Sequence, residues 1–300
     1  MLLLIRLWIA DMIRIPKNLS TNFSKQVNSF RFATRFRTHP DSAIKRLQQI
    51  AFSYFAQYRY CWLCQEQFTP SPPSFRFCPA CQLDLPRNIG KCSQCALPLI
   101  LSNTADTKTL TCGECITQPP CFSYTVASFR YEFPVRELIH RMKYQKQRYW
   151  IKALASQLIM DVGDAPFYKT GNLPELLVPV PLHHSRQKQR TFNQAGLLTR
   201  QLSKALAIPY RKDVLVKIEA TCNQAKLNKA ERIHNLKKSL AISKRRGIQE
   251  TITGKHIALI DDVMTTKATA ELAAKCLIDA GASRVDVWCL ARTPKFRNND

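Results

Sequence analysis

Glycine is scarce in this chain: eight residues in 300. Glycine is the usual residue at loops that need positive φ or a close backbone approach, so such loops must here be built around side chains. Acidic residues are also few, 21 against 45 Lys and Arg, and the resulting net charge of +24 with a pI near 9.8 disfavours cationic partners. Polyanions, whether nucleic acid or phosphorylated metabolites, are the natural ligands of such a surface, particularly as the basic residues cluster. No apolar run is long enough to cross a bilayer. The opening Met1 to Ala10 is interrupted by Arg6, followed by Asp11 and Arg14, and too short to span. A cleavable secretion signal is not recognisable either. Eight of the twelve cysteines are therefore read as metal ligands in a reducing cytoplasm, not as part of a disulfide framework.

What is present suits an α/β domain with a small added module, and 45% hydrophobic content suffices for a core. Residues 1–60 carry ten basic and two acidic residues and form a basic extension whose composition imitates an organelle transit peptide. Only 42–52 shows helical periodicity there, with Ile44, Leu47 and Ala51 on one face. Residues 61–121 are rich in Cys, Pro and Gln and cannot make a hydrophobic core, so metal must supply folding energy. Residues 122–300 alternate strand and helix. Strands are expected at 125–131, 176–182, 213–218, 256–260 and 284–290. Helices are expected within 134–160, over 194–206, and over 266–280 ending at Gly281. This pattern predicts a mostly parallel sheet covered on both faces.

Eight of the cysteines form four Cys-x-x-Cys pairs: Cys61/Cys64, Cys78/Cys81, Cys92/Cys95 and Cys112/Cys115. Four thiolates at tetrahedral distance suit Zn²⁺, and eight ligands predict two structural sites, with an iron–sulfur cluster as the alternative. Consecutive pairing gives two zinc ribbons; interleaved pairing is the other arrangement. Cys121, Cys222, Cys276 and Cys289 stand outside the pairs and read as packing cysteines.

The run from Ile257 to Thr269 leads an apolar strand into Asp261 and Asp262, then into Thr265, Thr266, Lys267 and Thr269. Residues at the C-terminal edge of a parallel strand sit where open α/β sheets bind ligands. Threonine hydroxyls and the free N–H groups opening the next helix suit a phosphate dianion, and the paired carboxylates suit two ribose hydroxyls.

This run resembles the phosphoribosyl pyrophosphate (PRPP) motif of type I phosphoribosyltransferases, and its surroundings resemble the ComF/GntX family of competence and DNA-utilisation proteins. The likeness extends from Cys61 to Thr293. It includes Leu138-Ile139-His140 with Lys143, Val178-Pro179-Val180-Pro181-Leu182-His183, Arg190-Thr191-Phe192-Asn193-Gln194, and the loop-like 224–238. The resemblance implies a type I phosphoribosyltransferase-like sheet behind a double zinc-ribbon module, binding PRPP with Mg²⁺. Asp261 and Asp262 would hold the ribose, Thr265, Thr266, Thr269 and Lys267 would line the 5′-phosphate, and Arg190, with Arg186 and Lys188, would face the pyrophosphate. Catalysis, if retained, is displacement of pyrophosphate from PRPP. Asp261 and Asp262 are then the catalytic carboxylates, and His183 and His184 lie near the leaving group.

Thr191, Lys226, Lys238 and Lys267 stand where that family tends to have glycine. Lys267 then either adds a cation beside the phosphate or fills its seat. Two functions are consistent with these residues. One is a PRPP-binding protein of DNA uptake, partnered by competence-machinery proteins. The other is a non-catalytic zinc-ribbon protein that binds single-stranded DNA and carries a degenerate PRPP site.

Overall fold

The computed structural model describes residues 59–70, 76–99, 110–169, 171–182, 192–217 and 240–295. The expected helix at 42–52 lies outside them.

The apolar run Ile257 to Ile260 and near-continuous burial make β7 (His256–Met264) a central strand of the sheet. It pairs in parallel with β8 (Arg284–Arg292) on one side and β4 (Leu176–Pro179) on the other. β3 (Thr125–Arg130) completes a four-stranded parallel sheet in the order β3-β8-β7-β4. Helices α3 (Val135–Tyr144), α4 (Tyr149–Asp164) and α5 (Gln194–Leu206) pack with one core, and α6 (Ile248–Ile252) and α7 (Ala268–Asp279) with the other. Ala258, Ile260, Trp288 and Leu290 belong to the first core; Ile257, Leu259, Val287 and Cys289 belong to the second. This is the α/β architecture expected of unbroken apolar strands.

Two local features depart from expectation. The strand read as ending at Ile260 continues through both carboxylates, because β8 also runs on and Met264 pairs with Arg292. The strand expected at 213–218 shortens to β5 (Leu215–Lys217) and leaves the main sheet, pairing antiparallel with β6 (Leu240–Ile242). Pro209 to Arg211 covers the outer edge of β4 instead, through Leu177 N–H to Pro209 O at 2.9 Å and Arg211 N–H to Leu177 O at 3.0 Å. In keeping with expectation, the 134–160 segment holds two helices, α3 and α4, and α7 closes just before Gly281, whose φ is +91°.

The cysteine-rich region contributes two short strands, β1 (Arg59–Tyr60) and β2 (Gln67–Phe68), and two short helices, α1 (Pro79–Leu83) and α2 (Gly113–Thr117). It is not a separate bead. Pro86 to Asn88 seals the free edge of β3, through Arg130 N–H to Pro86 O at 2.8 Å and Asn88 N–H to Ser128 O at 3.0 Å. An exposed sheet edge is thereby removed. On one side of this linker Cys61, Phe77 and Cys78 enter the first core; on the other Cys92, Cys95, Cys112 and Cys115 enter the second. The two ribbons straddle the sheet.

Glycine scarcity has a backbone consequence. Gln65, Ala96, Lys146 and Ala207 all adopt positive φ between 52° and 66°, a region that costs a side chain roughly 1–2 kcal/mol.

Among the described residues no helix is long and apolar enough to cross a membrane.

Candidate functional site

The C-terminal ends of β7 and β8 place the predicted loop. Successive strand residues face opposite sides of a sheet, and the two carboxylates have different neighbours. Asp262 is 8% exposed, and its Oδ2 lies 3.0 Å from Lys143 Nζ of α3. Asp261 Oδ1 accepts the Asp262 N–H at 2.8 Å. Burial, then the adjacent Asp262 carboxylate, pushes the Asp261 carboxyl up to about 7, against the opposing pull of the Asp262 N–H and Lys143. Beyond β7 the chain turns through Thr265 and Thr266, both exposed, to Lys267 at the cap of α7, with Thr269 half-buried in its first turn. The loop leads into a twelve-residue helix with no side-chain cap, whose first-turn amides lack intrahelical partners and suit an anion.

Lys267 does not lie over that edge. Its Nζ is 3.2 Å from Glu114 Oε1 and 3.6 Å from Cys115 Sγ, both in the second ribbon. Glu114 is also paired with Lys295. Burial lowers the tendency of Lys267 to stay charged, but Glu114 and the nearby thiols raise its pKa overall.

Arg190 lies outside the described residues, as do Arg186, Lys188, Thr191, His183, His184 and the segment containing Lys226, Arg232 and Lys238. The adjoining Phe192-Asn193-Gln194 is described. Asn193 caps α5, its Oδ1 accepting Gly196 N–H at 3.3 Å while its Nδ2 donates to Val180 O at 3.0 Å. The side chain thus ties the start of α5 to the end of β4.

Two residues at the site escaped sequence reasoning. Lys143 was visible only as part of a resemblance, and nothing local announces that α3 delivers it to Asp262. Arg292 ends β8 and is buried; its guanidinium donates from Nη1 to Met264 O at 2.9 Å and Thr265 O at 2.6 Å, and from Nε to Cys95 O at 3.1 Å. A lone arginine closing an apolar strand beside Asp261-Asp262 was the available signal.

The cysteines gather by consecutive pairs, Cys61/Cys64/Cys78/Cys81 and Cys92/Cys95/Cys112/Cys115, with each set of sulfurs within 4.8 Å of one another. The two ribbons repeat one geometry. Cys61 N–H donates to Glu66 O and Cys92 N–H to Leu97 O, both at 2.8 Å; Gln65 and Ala96 return to Cys61 O and Cys92 O, both at 3.0 Å. Cys78 N–H and Cys112 N–H donate to the sulfurs of Cys61 and Cys92, both at 3.3 Å. Cys64 to Cys78 and Cys95 to Cys112 are each 3.7 Å, matching the edge of about 3.8 Å that a tetrahedron with Zn–S bonds of about 2.3 Å requires. At Cys61 burial opposes ionisation, yet the N–H groups of Cys64, Cys78 and Leu63 bring the thiol down to about 7. At Cys92 the Cys95 thiol and nearby N–H groups outweigh burial and bring it to about 4. Their companions move the other way: Cys95 is raised by Cys92, and burial takes Cys115 up to about 11. Four sulfurs this close ionise together only around a cation. The residues fit zinc, and both clusters could hold an ion.

No family model matches the chain. The DNA utilization protein YhgH of Salmonella typhimurium is 31% identical over 233 residues, covering 78% of this chain and 96% of the relative. Competence protein F of Haemophilus influenzae is 39% identical over 184 residues, 60% of this chain and 78% of the relative. Competence protein ComFC of Bacillus subtilis is 27% identical over 253 residues, 78% of this chain and 95% of the relative. Among solved structures, a purine phosphoribosyltransferase from Pyrococcus horikoshii is similar at 19% identity and a TM-score of 0.30, over 48% of this chain and 74% of that one. The family assignment rests on the sequence relatives, above all on the match that spans nearly the whole of YhgH: this chain, two four-cysteine clusters joined to a four-stranded parallel sheet, belongs to the ComF family.

Proposed function

We propose that the Asp261 to Thr269 loop binds PRPP with Mg²⁺, in a protein serving DNA uptake or utilisation. The supporting observation is the position of the two carboxylates at the C-terminal end of a central parallel strand, followed directly by exposed Thr265 and Thr266 at the start of α7. The family names attached to its relatives, DNA utilization and competence, support the biological setting. In this reading Asp261 and Asp262 accept the ribose hydroxyls, and Thr265, Thr266 and Thr269 with the helix amides hold the 5′-phosphate. Arg190 faces the pyrophosphate. Lys143 pairs with Asp262 and fixes its orientation as an acceptor. The carboxylate pair suits a Mg²⁺ shared with a ligand's phosphates, and bound Mg²⁺ would neutralise the pyrophosphate leaving group. Titration calorimetry tests this directly: PRPP with Mg²⁺ binds the wild-type protein, and Asp261→Ala with Asp262→Ala abolishes binding. Absence of binding to the wild type would refute the reading.

A second reading is a non-catalytic single-stranded DNA-binding protein. The observation favouring it is Lys267, whose ammonium is engaged by Glu114 and Cys115 away from the phosphate edge, within a chain of net charge +24. Its affinity for single-stranded DNA should fall steeply with added salt through counterion release. It should survive the Asp261→Ala, Asp262→Ala change that removes PRPP binding.

A further inference from the structure

The two ribbons have different neighbours. The first packs against α4: Trp62 meets Tyr149 and Trp150 edge-on at 5.0 and 5.6 Å, and Gln82 donates to Gln157 at 2.8 Å. The second is fastened to the loop after β7. Arg292 joins Cys95 O to Met264 O and Thr265 O. Lys267 joins the other end of the loop to Cys115 Sγ and Glu114. One turn further on, both oxygens of Glu271 accept Cys121 N–H, at 3.0 and 3.1 Å. The turn is therefore held at its start, at its end and on the following helix by the second ribbon and the segment just after it.

The charges make this more than packing. Four thiolates around a divalent cation leave the cluster doubly negative, and a lysine ammonium at 3.6 Å from one sulfur offsets that charge and donates to it. If the metal leaves, nothing holds the four sulfurs together, and the ammonium keeps only Glu114, which sits beside Cys115 in the same ribbon. Groups just beyond the ligands typically change metal affinity about 10- to 100-fold when removed.

We propose that Lys267 and Arg292 are positioning residues that make the second cluster part of the phosphate loop. Metal held by Cys92, Cys95, Cys112 and Cys115 and a phosphoribosyl ligand on Thr265 and Thr266 then stabilise one another. Metal in the first cluster is indifferent to the ligand. The ligand half of this rests on the PRPP reading given above; the Lys267 half stands on the ribbon contacts alone. Because the coupling is thermodynamic it acts in both directions: the ligand retains the metal as much as the metal shapes the site.

Metal release from the intact protein to a chromogenic chelator tests this, with N-ethylmaleimide labelling and peptide mapping to assign each kinetic phase to its cluster. Lys267→Met should speed release from the second cluster about 10- to 100-fold and leave the first unchanged, and Lys267→Arg should restore the slow rate. PRPP with Mg²⁺ should slow second-cluster release in the wild type and in Lys267→Arg, but not in Lys267→Met. Wild-type release rates in Lys267→Met, failure of arginine to rescue, or equal slowing of both clusters by PRPP would overturn the proposal. If calorimetry finds no PRPP binding to the wild type, the PRPP reading falls, and the ligand-free rates of Lys267→Met still decide whether Lys267 is a strut.

Discussion

Lys143 Nζ and Asp262 Oδ2 are 3.0 Å apart, with side chains only 16% and 12% exposed, so α3 supplies the counter-charge for a carboxylate on the central strand. Removing one partner of such a pair leaves the other desolvated and unmatched, which typically costs more than the pair itself contributes. Lys143→Met should destabilise the fold by about 1–3 kcal/mol near neutral pH. Urea unfolding measures it, and an equal loss from Lys143→Met in an Asp262→Asn background would show that the lysine acts through packing of its stem.

Asp261 behaves differently from its neighbour. Its carboxyl is pushed up to about 7 by burial and by Asp262, whereas an unfolded chain's aspartate titrates near pH 4. Between those values the folded state binds a proton the unfolded state has released, so stability falls as pH rises through the window and levels off above about 7. Asp261→Asn, permanently neutral, should be the more stable protein at pH 8, by on the order of 2 kcal/mol, with a much smaller difference at pH 5. A pH series of melting temperatures checks it; parallel curves would place the Asp261 pKa in the ordinary carboxylate range.

Ala207 closes α5 at φ +56°, a left-handed position at which glycine is the usual residue. Ala207→Gly relieves the backbone there at the expense of a more flexible unfolded chain, and should stabilise by about 0.5–1 kcal/mol. The gain is readable from denaturant midpoints at unchanged slope. A loss would mean that the Ala207 methyl contributes packing that outweighs its strain.

Strands and helices were legible where one physical signal dominated. The Gln194 to Leu206 helix follows its apolar face, and β7 its unbroken apolar run. The end of β7 was not legible, because two aspartates read as a terminus while the pairing of Met264 with Arg292 is a tertiary fact. The same holds for the ligand pairing of the cysteines. Spacing permitted consecutive or interleaved sets; the choice depends on Pro86 to Asn88 running along β3 and sending one ribbon to each face of the sheet. Lys267 illustrates the limit most clearly. Its type and position suggested a phosphate neighbour, yet its ammonium is engaged by Glu114 and Cys115, residues more than 150 positions earlier in the chain.

The ribbons can be told apart by light. Trp62, between Cys61 and Cys64, meets Trp150 of α4 at 5.6 Å, and Phe77, beside Cys78, stacks on Trp150 at 6.4 Å. Trp288, by contrast, is fully buried beneath the sheet, donating from Nε1 to Tyr168 OH at 2.8 Å. Structural zinc contributes on the order of 10 kcal/mol to such a module, comparable to the stability of a whole domain. The intact protein should therefore hold two zinc ions per chain by elemental analysis and show no visible absorption of the kind an iron–sulfur cluster gives. Cys64→Ser, which weakens the first cluster, should lower the melting temperature and red-shift the tryptophan emission as Trp62 and Trp150 become wet. Cys95→Ser, which weakens the second, should lower the melting temperature with little change in emission until global unfolding. Identical emission changes from the two variants would mean that the clusters fold and fail as one unit, and that the sheet between them transmits the loss of either.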